Sequence, residues 1–469
     1  MERTDSTRQT TLHAAYPTGR WARLGLLAAL AGLLLSGCEV LGLQTPEAAS
    51  PAQAPEPTAT AEATDVRATA GPEPDADTTP AAEEEPGEIT LTVWMPEPFA
   101  PASETPGGEA LAGQIETFNA SQSDLSAQVF VKLTTGPGST LAYLRSAPDV
   151  APSILPDIAL LDLDALAQAA HDDLVVPVNT MVEPDEVAEF YPAAIELGTI
   201  DGILIGVPYL LEMQHIVYRE VLFLQPPNTF ERVLESPVAF VFPAGTTGSV
   251  NRTTLTQYMA GVDGELINEA GVPYIDEDVL TEVLEFYAQA RDDEIVEPAL
   301  LQITDPMETW DRYNARQVGL AAVRSTAYLE DRDSVATTRF AWLPTASGQP
   351  FTLVSGWLWV VTTRDPARQE AAIALIQHLL EPVNHASFTE AAGWLPSQPE
   401  ALMVWSQEDG YASFADEVLA NAEPLPEPGL QAIIGEAIQD ALESVLLDDV
   451  APAAAAAEAA ERVAAPTNP

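Results

Sequence analysis

The sequence predicts an α/β protein in which strands and helices alternate, and three segments carry that prediction. Ile89-Thr-Leu-Thr-Val-Trp94 alternates apolar and polar residues with a period of two, placing Ile89, Leu91 and Val93 on one face of a strand that ends at Pro96. Asp157-Ile-Ala-Leu-Leu-Asp162 is a short apolar run typical of a strand buried in a parallel sheet, and it leads directly into a helical stretch, Leu163 to Ala170. Leu353 to Thr362 is the clearest late strand, with a helix from Pro366 to Leu380 behind it. Alternation at this spacing argues for helices layered on a sheet.

The remaining elements follow in order. A helix is expected over about 108–120, then a strand from Ala127 to Leu133 closed by a Gly-Pro-Gly turn. Gly206-Val-Pro-Tyr209 precedes a strand from Gln214 to Tyr218, and Val238 to Phe242 reads as another. Helices are expected at about 253–260, 277–291 and 306–316, with a buried strand from Gly319 to Val323. Residues 427–464 are almost continuously helix-forming, His378 reads as a helix end, and His385 reads as part of a loop.

The N-terminal segment is of a different kind. Arg20 and Arg23 precede an apolar stretch, Leu24 to Leu35, that is too short to span a bilayer as a helix, and Leu35-Ser-Gly-Cys38 follows it. That tetrapeptide resembles the lipobox of bacterial lipoproteins, which implies cleavage before Cys38 and lipidation of its sulfur. Residues 1–37 would then be a signal peptide and the protein an extracytoplasmic, membrane-anchored one. Cys38 is the only cysteine, so disulfides are absent. Residues 38–87 carry eight prolines and eleven acidic residues against the single Arg67, a composition that cannot bury enough apolar surface to fold, and they read as a disordered linker.

The chain has 71 acidic residues against 19 basic ones, a net charge of -52. Loss of residues 1–37 removes four arginines and two acidic residues, leaving 15 against 69. Such an excess argues against nucleic acid, whose phosphates need Lys and Arg, and against adsorption to anionic lipid, so membrane attachment must come from acyl chains. Lys132 is the sole lysine. The same acidity keeps an exported protein soluble and monomeric without implying any ligand.

Enzyme signatures are missing. There is no Gly-x-Ser-x-Gly elbow, no phosphate-cradling loop with Lys and no His-Glu-x-x-His, and the five histidines form no i, i+4 pair. His171-Asp172-Asp173 reads as a solvated helix end, because adjacent residues there rarely converge on one ion. No metal or cofactor is expected. Paired carboxylates such as Asp162 and Asp164 could serve a secreted glycosidase, which needs two carboxyls across a cleft.

Several short segments follow one another in a set order: Thr90 to Trp94, Leu155-Pro-Asp157, Gly206-Val-Pro-Tyr209 before Ile216-Val-Tyr218, Pro226-Pro-Asn-Thr-Phe230, Gly319-Leu-Ala-Ala322, Val354-Ser-Gly-Trp357 and Gly393-Trp-Leu-Pro396. That order resembles the extracellular solute-binding proteins of ABC importers, family 1, the maltodextrin-binding-like group. The resemblance implies a two-lobed, hinged periplasmic-binding-protein-like fold of type II. Residues 88–217 with 351–395 would form lobe 1, and 218–350 with 396–464 lobe 2, crossing near Tyr218 and Pro350. The segment Thr229 to Ala244 is shorter than the family's. It further implies a monomer that binds a small solute, a neutral sugar foremost, in the cleft and delivers it to ABC permease subunits. A peptide, polyamine or other cationic solute is the alternative, for which the acidic balance would be apt.

The same resemblance supplies ligand-binding candidates. Glu212, six residues before Tyr218, matches a cleft glutamate, and Asp164, seven after Asp157, a cleft aspartate, whereas Leu161 stands where maltodextrin binders carry a stacking tryptophan. Tyr328 falls at an aromatic platform, with Ser325 and Thr326 before it, and Trp357 where relatives place a ligand-facing ring. Trp94, Trp394 and Tyr209 complete the set, while Trp310, Trp342 and Trp405 are expected in the core. Flat rings for sugar C–H faces and planar polar groups for hydroxyls are what such a ligand needs.

Overall fold

One mixed sheet organises the chain. The computed structural model describes residues 88–150, 154–262, 266–268, 270–332 and 337–464, which fall in a single unit. The expected signal sequence, Cys38 and the linker lie outside the described residues. The strands are β1 (Ile89–Pro96), β2 (Leu125–Lys132), β3 (Ile158–Asp162), β4 (Thr199–Ile200), β5 (Ile203–Leu204), β6 (Gly206–Arg219), β7 (Phe240–Val241), β8 (Leu320–Arg324), β9 (Thr338–Ala341), β10 (Thr352–Val361), β11 (Leu395–Pro396) and β12 (Ala422–Pro424). β4 and β5 make a small hairpin; the main sheet runs β2-β1-β3-β10-β6-β8-β7, with β9 and β11 also on β6 and β12 on β10. β1 pairs in parallel with β2 and β3, while β10 runs antiparallel to β3 and β6.

β6 joins the two halves of the sheet. From Gly206 to Met213 it pairs with β10, and from Gln214 onward with β8. The sequence pattern points to a strand only from Gln214, because Pro208 breaks the reading upstream. The proline is accommodated at a bulge: Trp357 faces Leu210 and Leu358 faces Pro208, leaving Tyr209 as an extra residue. Opposite it, a Cβ on Gly356 would lie 1.9 Å from the Leu210 carbonyl oxygen, so only glycine fits.

The helices cover the sheet unequally. On one face a continuous apolar cluster extends from Trp94, Ala159 and Leu161 to Val217, Ala321, Tyr328 and Phe414. On the other face there are two separate clusters. One packs Leu160, Leu210 and Trp359 under the helices Pro106–Ser121 and Pro366–Leu380; the other packs Ile216, Tyr218 and Ala322 under Glu277–Asp292 and Glu436–Asp448.

Several sequence expectations are corrected. His385 lies not in a loop but inside the helix Pro382–Ala392, fully buried. The run 427–464 is broken where Asp449 adopts φ 57° before Pro452 restarts a helix at Pro452–Ala464. Between Thr229 and Ala244 the short connection holds one helix, Phe230–Leu234, and the two-residue β7.

A polar strip between two apolar covers

Pairing places a row of side chains between the two separate clusters. Directly opposite residues of paired strands share a face, so Asp162, Trp357 and Leu210 lie side by side, and Ser355 and Glu212 form the next row. Two residues further along β6 comes Gln214, opposite Arg324 of β8. Apolar cover stops on either side of this strip. Asp162, Trp357, Ser355, Arg324 and Thr326 are all partly exposed.

Trp357 and Trp394 each set an edge against the buried Phe99, at centroid distances of 5.2 and 5.5 Å. Phe99, in the Pro-Glu-Pro-Phe segment after β1, was not among the expected residues; its role as a prop shows only once the strands are paired. It holds two indoles at one rim of the strip.

Glu212 is the polar centre. Its Oε1 accepts from Arg252 Nη1 at 3.1 Å, and its Oε2 accepts from Thr326 Oγ1 at 3.2 Å. Arg324 Nη1 stands 3.5 Å from Oε2. Arg252 also donates to Ser355 Oγ at 3.0 Å and to the carbonyls of Glu212 and Leu353. Arg252 therefore ties the helix Arg252–Met259 to both β6 and β10. Burial pulls its guanidinium down to about 10, against which the adjacent Glu212 charge acts. Sequence reasoning missed Arg252, which falls just ahead of the helix expected over about 253–260; in the structure Asn251 caps that helix and Arg252 is its first residue.

The other expected residues are placed as follows. Ser325 is buried, with its Oγ accepting from Met213 N at 3.2 Å, so it braces β6 and does not face the strip. Asp164 is exposed on the first turn of the helix Leu163–His171, while Asp162 caps that helix through Ala165 N at 2.8 Å. Burial pushes the Asp162 carboxyl above its ordinary range. Tyr209, the bulge residue, is fully buried and stacks on His385 and Phe388. Tyr328 packs against Tyr411, His215 and Trp310, and Trp94 lies under the cover of the opposite face. These three rings are core, because each belongs to a strand or helix face that the sheet's register turns away from the strip or into an apolar cluster. Trp310 and Trp405 are buried as expected, and Trp342 is partly so, its Nε1 donating to Gly348 O.

Asp157 is held for structural reasons. Arg368 grips both its oxygens at 2.6 Å, and Thr92 N donates to it at 2.7 Å. Lys132 lies over the rings of Trp94 and Tyr143 at 4.4 and 4.7 Å, and burial lowers its ammonium's pKa. Among the described residues no group of three or more His, Cys, Asp or Glu could hold a metal ion. A depression of about 640 Å³ lies elsewhere, beside Phe230, Gln257, Glu282 and Phe351. Gln257 there is already bonded to Pro344 O and Tyr287.

The sequence profile of the bacterial extracellular solute-binding proteins matches residues 113–413, well over half of the chain. The chain belongs to this family. Its members bind solutes outside the cytoplasm and are not catalysts, which sets the glycosidase reading of Asp162 and Asp164 aside. Solved structures agree on the fold. The cyclic alpha-maltosyl-1,6-maltose binding protein from Arthrobacter globiformis superposes with a TM-score of 0.65 at 20% identity, covering 80% of this chain and 98% of that one. The sugar-binding protein MalE from Xanthomonas citri gives 0.63 at 18% identity, with 80% and 96% covered. An extracellular solute-binding protein family 1 member from Alicyclobacillus acidocaldarius gives 0.60 at 15%, with 81% and 98% covered. This solute-binding protein thus has the two-lobed α/β periplasmic-binding-protein-like fold. A search of curated proteins found no match.

Proposed function

We propose that this protein captures a carbohydrate between its two lobes and presents it to the permease subunits of an ABC importer, and that acyl chains on Cys38 hold it at the membrane. The observation that carries the reading is the strip itself: two partly exposed indoles beside a hydrogen-bonding row, lying where apolar cover is interrupted on one face of the sheet and continuous on the other. Rings for C–H faces and charged planar groups for hydroxyls are the recognition chemistry of a saccharide. Two of the structural relatives named above are described as binding sugars, which supports the same class. Lobe 1 would comprise 88–217 and 351–395, and lobe 2 the remainder to 464, with closure about the β6 and β10 crossings.

Paired substitutions on one strand test this. Trp357→Ala should weaken saccharide binding in calorimetric titration by about 10-fold or more while the melting temperature holds. Trp359→Ala, two residues on and fully buried, should cost roughly 3 to 5 kcal/mol of stability. A Trp357 variant that melts early yet binds normally would return that ring to the core and defeat the site.

A further inference from the structure

The charge around Glu212 is unbalanced in a way that the neutral-sugar expectation does not use. Two arginines share this one carboxylate. Arg252 alone neutralises it, at 3.1 Å and with its other donors bound to Ser355 and two carbonyls. Arg324 is surplus to that pair. It approaches Oε2 only to 3.5 Å, and 43% of its side chain is exposed. Elsewhere in this chain arginines find carboxylates at shorter range, as Arg368 does at 2.6 Å and Arg145 at 2.7 Å. A strongly acidic protein has left a guanidinium fork, with donors to spare, at the end of β8 and on the same strip as Trp357.

We propose that the solute carries a carboxylate: it is an acidic saccharide of the uronate class, and Arg324 is the residue that recognises its anionic group. The proposal rests on the saccharide reading above and sharpens it. A guanidinium presents two parallel N–H donors that match a carboxylate, and a carboxylate is satisfied by one such fork where a phosphate ester would demand more positive charge. Trp357 and Arg324 stand on strands separated by β6, at register positions four residues apart along it. That spacing is on the order of 15 Å between backbones, room for a chain of two or more sugar rings with the acid at the Arg324 end. The opposite end of the strip is acidic, with Asp162 beside Trp357 and Asp164 on the following turn, so the site is polar along its length and the orientation of an acidic saccharide is set. At the Glu212 end a cationic group would meet Arg324 and Arg252, with the one carboxylate there already paired.

The test uses matched pairs of saccharides on the purified chain: oligogalacturonides and other uronate oligosaccharides, each against its carboxyl-reduced neutral form. The acidic member of at least one pair should bind about 10-fold or more tightly than its reduced partner, and rising salt should weaken the acidic member alone. Arg324→Gln should lower the affinity for the acidic member roughly 10- to 100-fold at unchanged melting temperature, a far larger loss than for the neutral member, so that the preference within each pair disappears. Arg324→Lys, which keeps the charge without the fork, should fall between. Equal binding of both members with Arg324→Gln indifferent overturns the acidic class and leaves the saccharide reading standing. A loss of binding for both members alike, or a lowered melting temperature, makes Arg324 structural and overturns the proposal as well. If no acidic or neutral saccharide binds, both the proposal and the reading beneath it fail.

Discussion

Arg252 shows how one side chain can hold a site and a fold together. Its guanidinium meets a carboxylate, a hydroxyl and two carbonyls, and with Glu212 it forms an ion pair whose side chains are only 14% and 6% exposed. Removing one partner of a buried pair strands the other, so Arg252→Ala should lower stability in urea denaturation by about 3 to 5 kcal/mol. Replacing both, as Arg252→Met with Glu212→Leu, should restore much of that while abolishing solute binding. The buried histidines provide a second residue-scale test. Burial lowers His215 and His385 to about 4 from an ordinary 6.5. His215 is suited to the neutral form: its Nδ1 faces the Ile216 carbonyl, and its Nε2 can accept from the Tyr411 hydroxyl. Because the folded-state values are depressed, stability is fully present above pH 6.5 and is lost as pH falls from there through 4. Urea midpoints measured across that window should decline, and His385→Gln should flatten the decline. A midpoint that stays constant across the same window would show that these rings are not buried neutral.

At the scale of elements, the bulge where β6 meets β10 sets which residues the strip displays. Gly356→Ala drives a methyl into the Leu210 carbonyl, so this pairing must shift and both melting temperature and solute affinity should drop together. Normal binding at normal stability would mean that the register tolerates a Cβ there. What could be read in advance divides along physical lines. Local patterns such as Ile89 to Pro96, the helix Pro366–Leu380 and the helix Leu163–His171 were legible because their periodicity and caps are contained within the segment. β6 was legible only in its second half, since a proline tolerated at a bulge looks like a strand breaker until the partner strand is known. His385 escaped for the same reason: its burial comes with a contact to the Tyr209 carbonyl, 2.6 Å away but far off in sequence. In the strip, Trp357 and Glu212 were anticipated through resemblance, whereas Phe99, Arg252 and Ser355 enter through contacts between distant strands that no local pattern announces.

At the scale of the molecule, a net charge of -52 governs how the protein meets its surroundings. Anionic lipid repels such a chain, so the membrane attachment proposed above would rest on Cys38 alone. Cys38→Ala should release the protein from membrane fractions under conditions in which the unaltered chain sediments with them; retention of the variant would point to the apolar stretch Leu24 to Leu35 acting as an uncleaved anchor. The same charge bears on the solute, because an anion approaching the strip crosses a repulsive field that salt screens, and association should quicken as ionic strength rises even while the final contact weakens. Lys132 adds a last consequence. It is the only lysine side chain in the chain, it rests against Trp94 and Tyr143, and burial leaves its amine less protonated than an ordinary lysine's. Amine-directed chemistry therefore meets one side-chain target, already next to an indole. A small fluorophore joined there would be quenched by Trp94 to a degree set by the separation of dye and ring, giving an optical readout of motion at the end of β2 with no engineered label site.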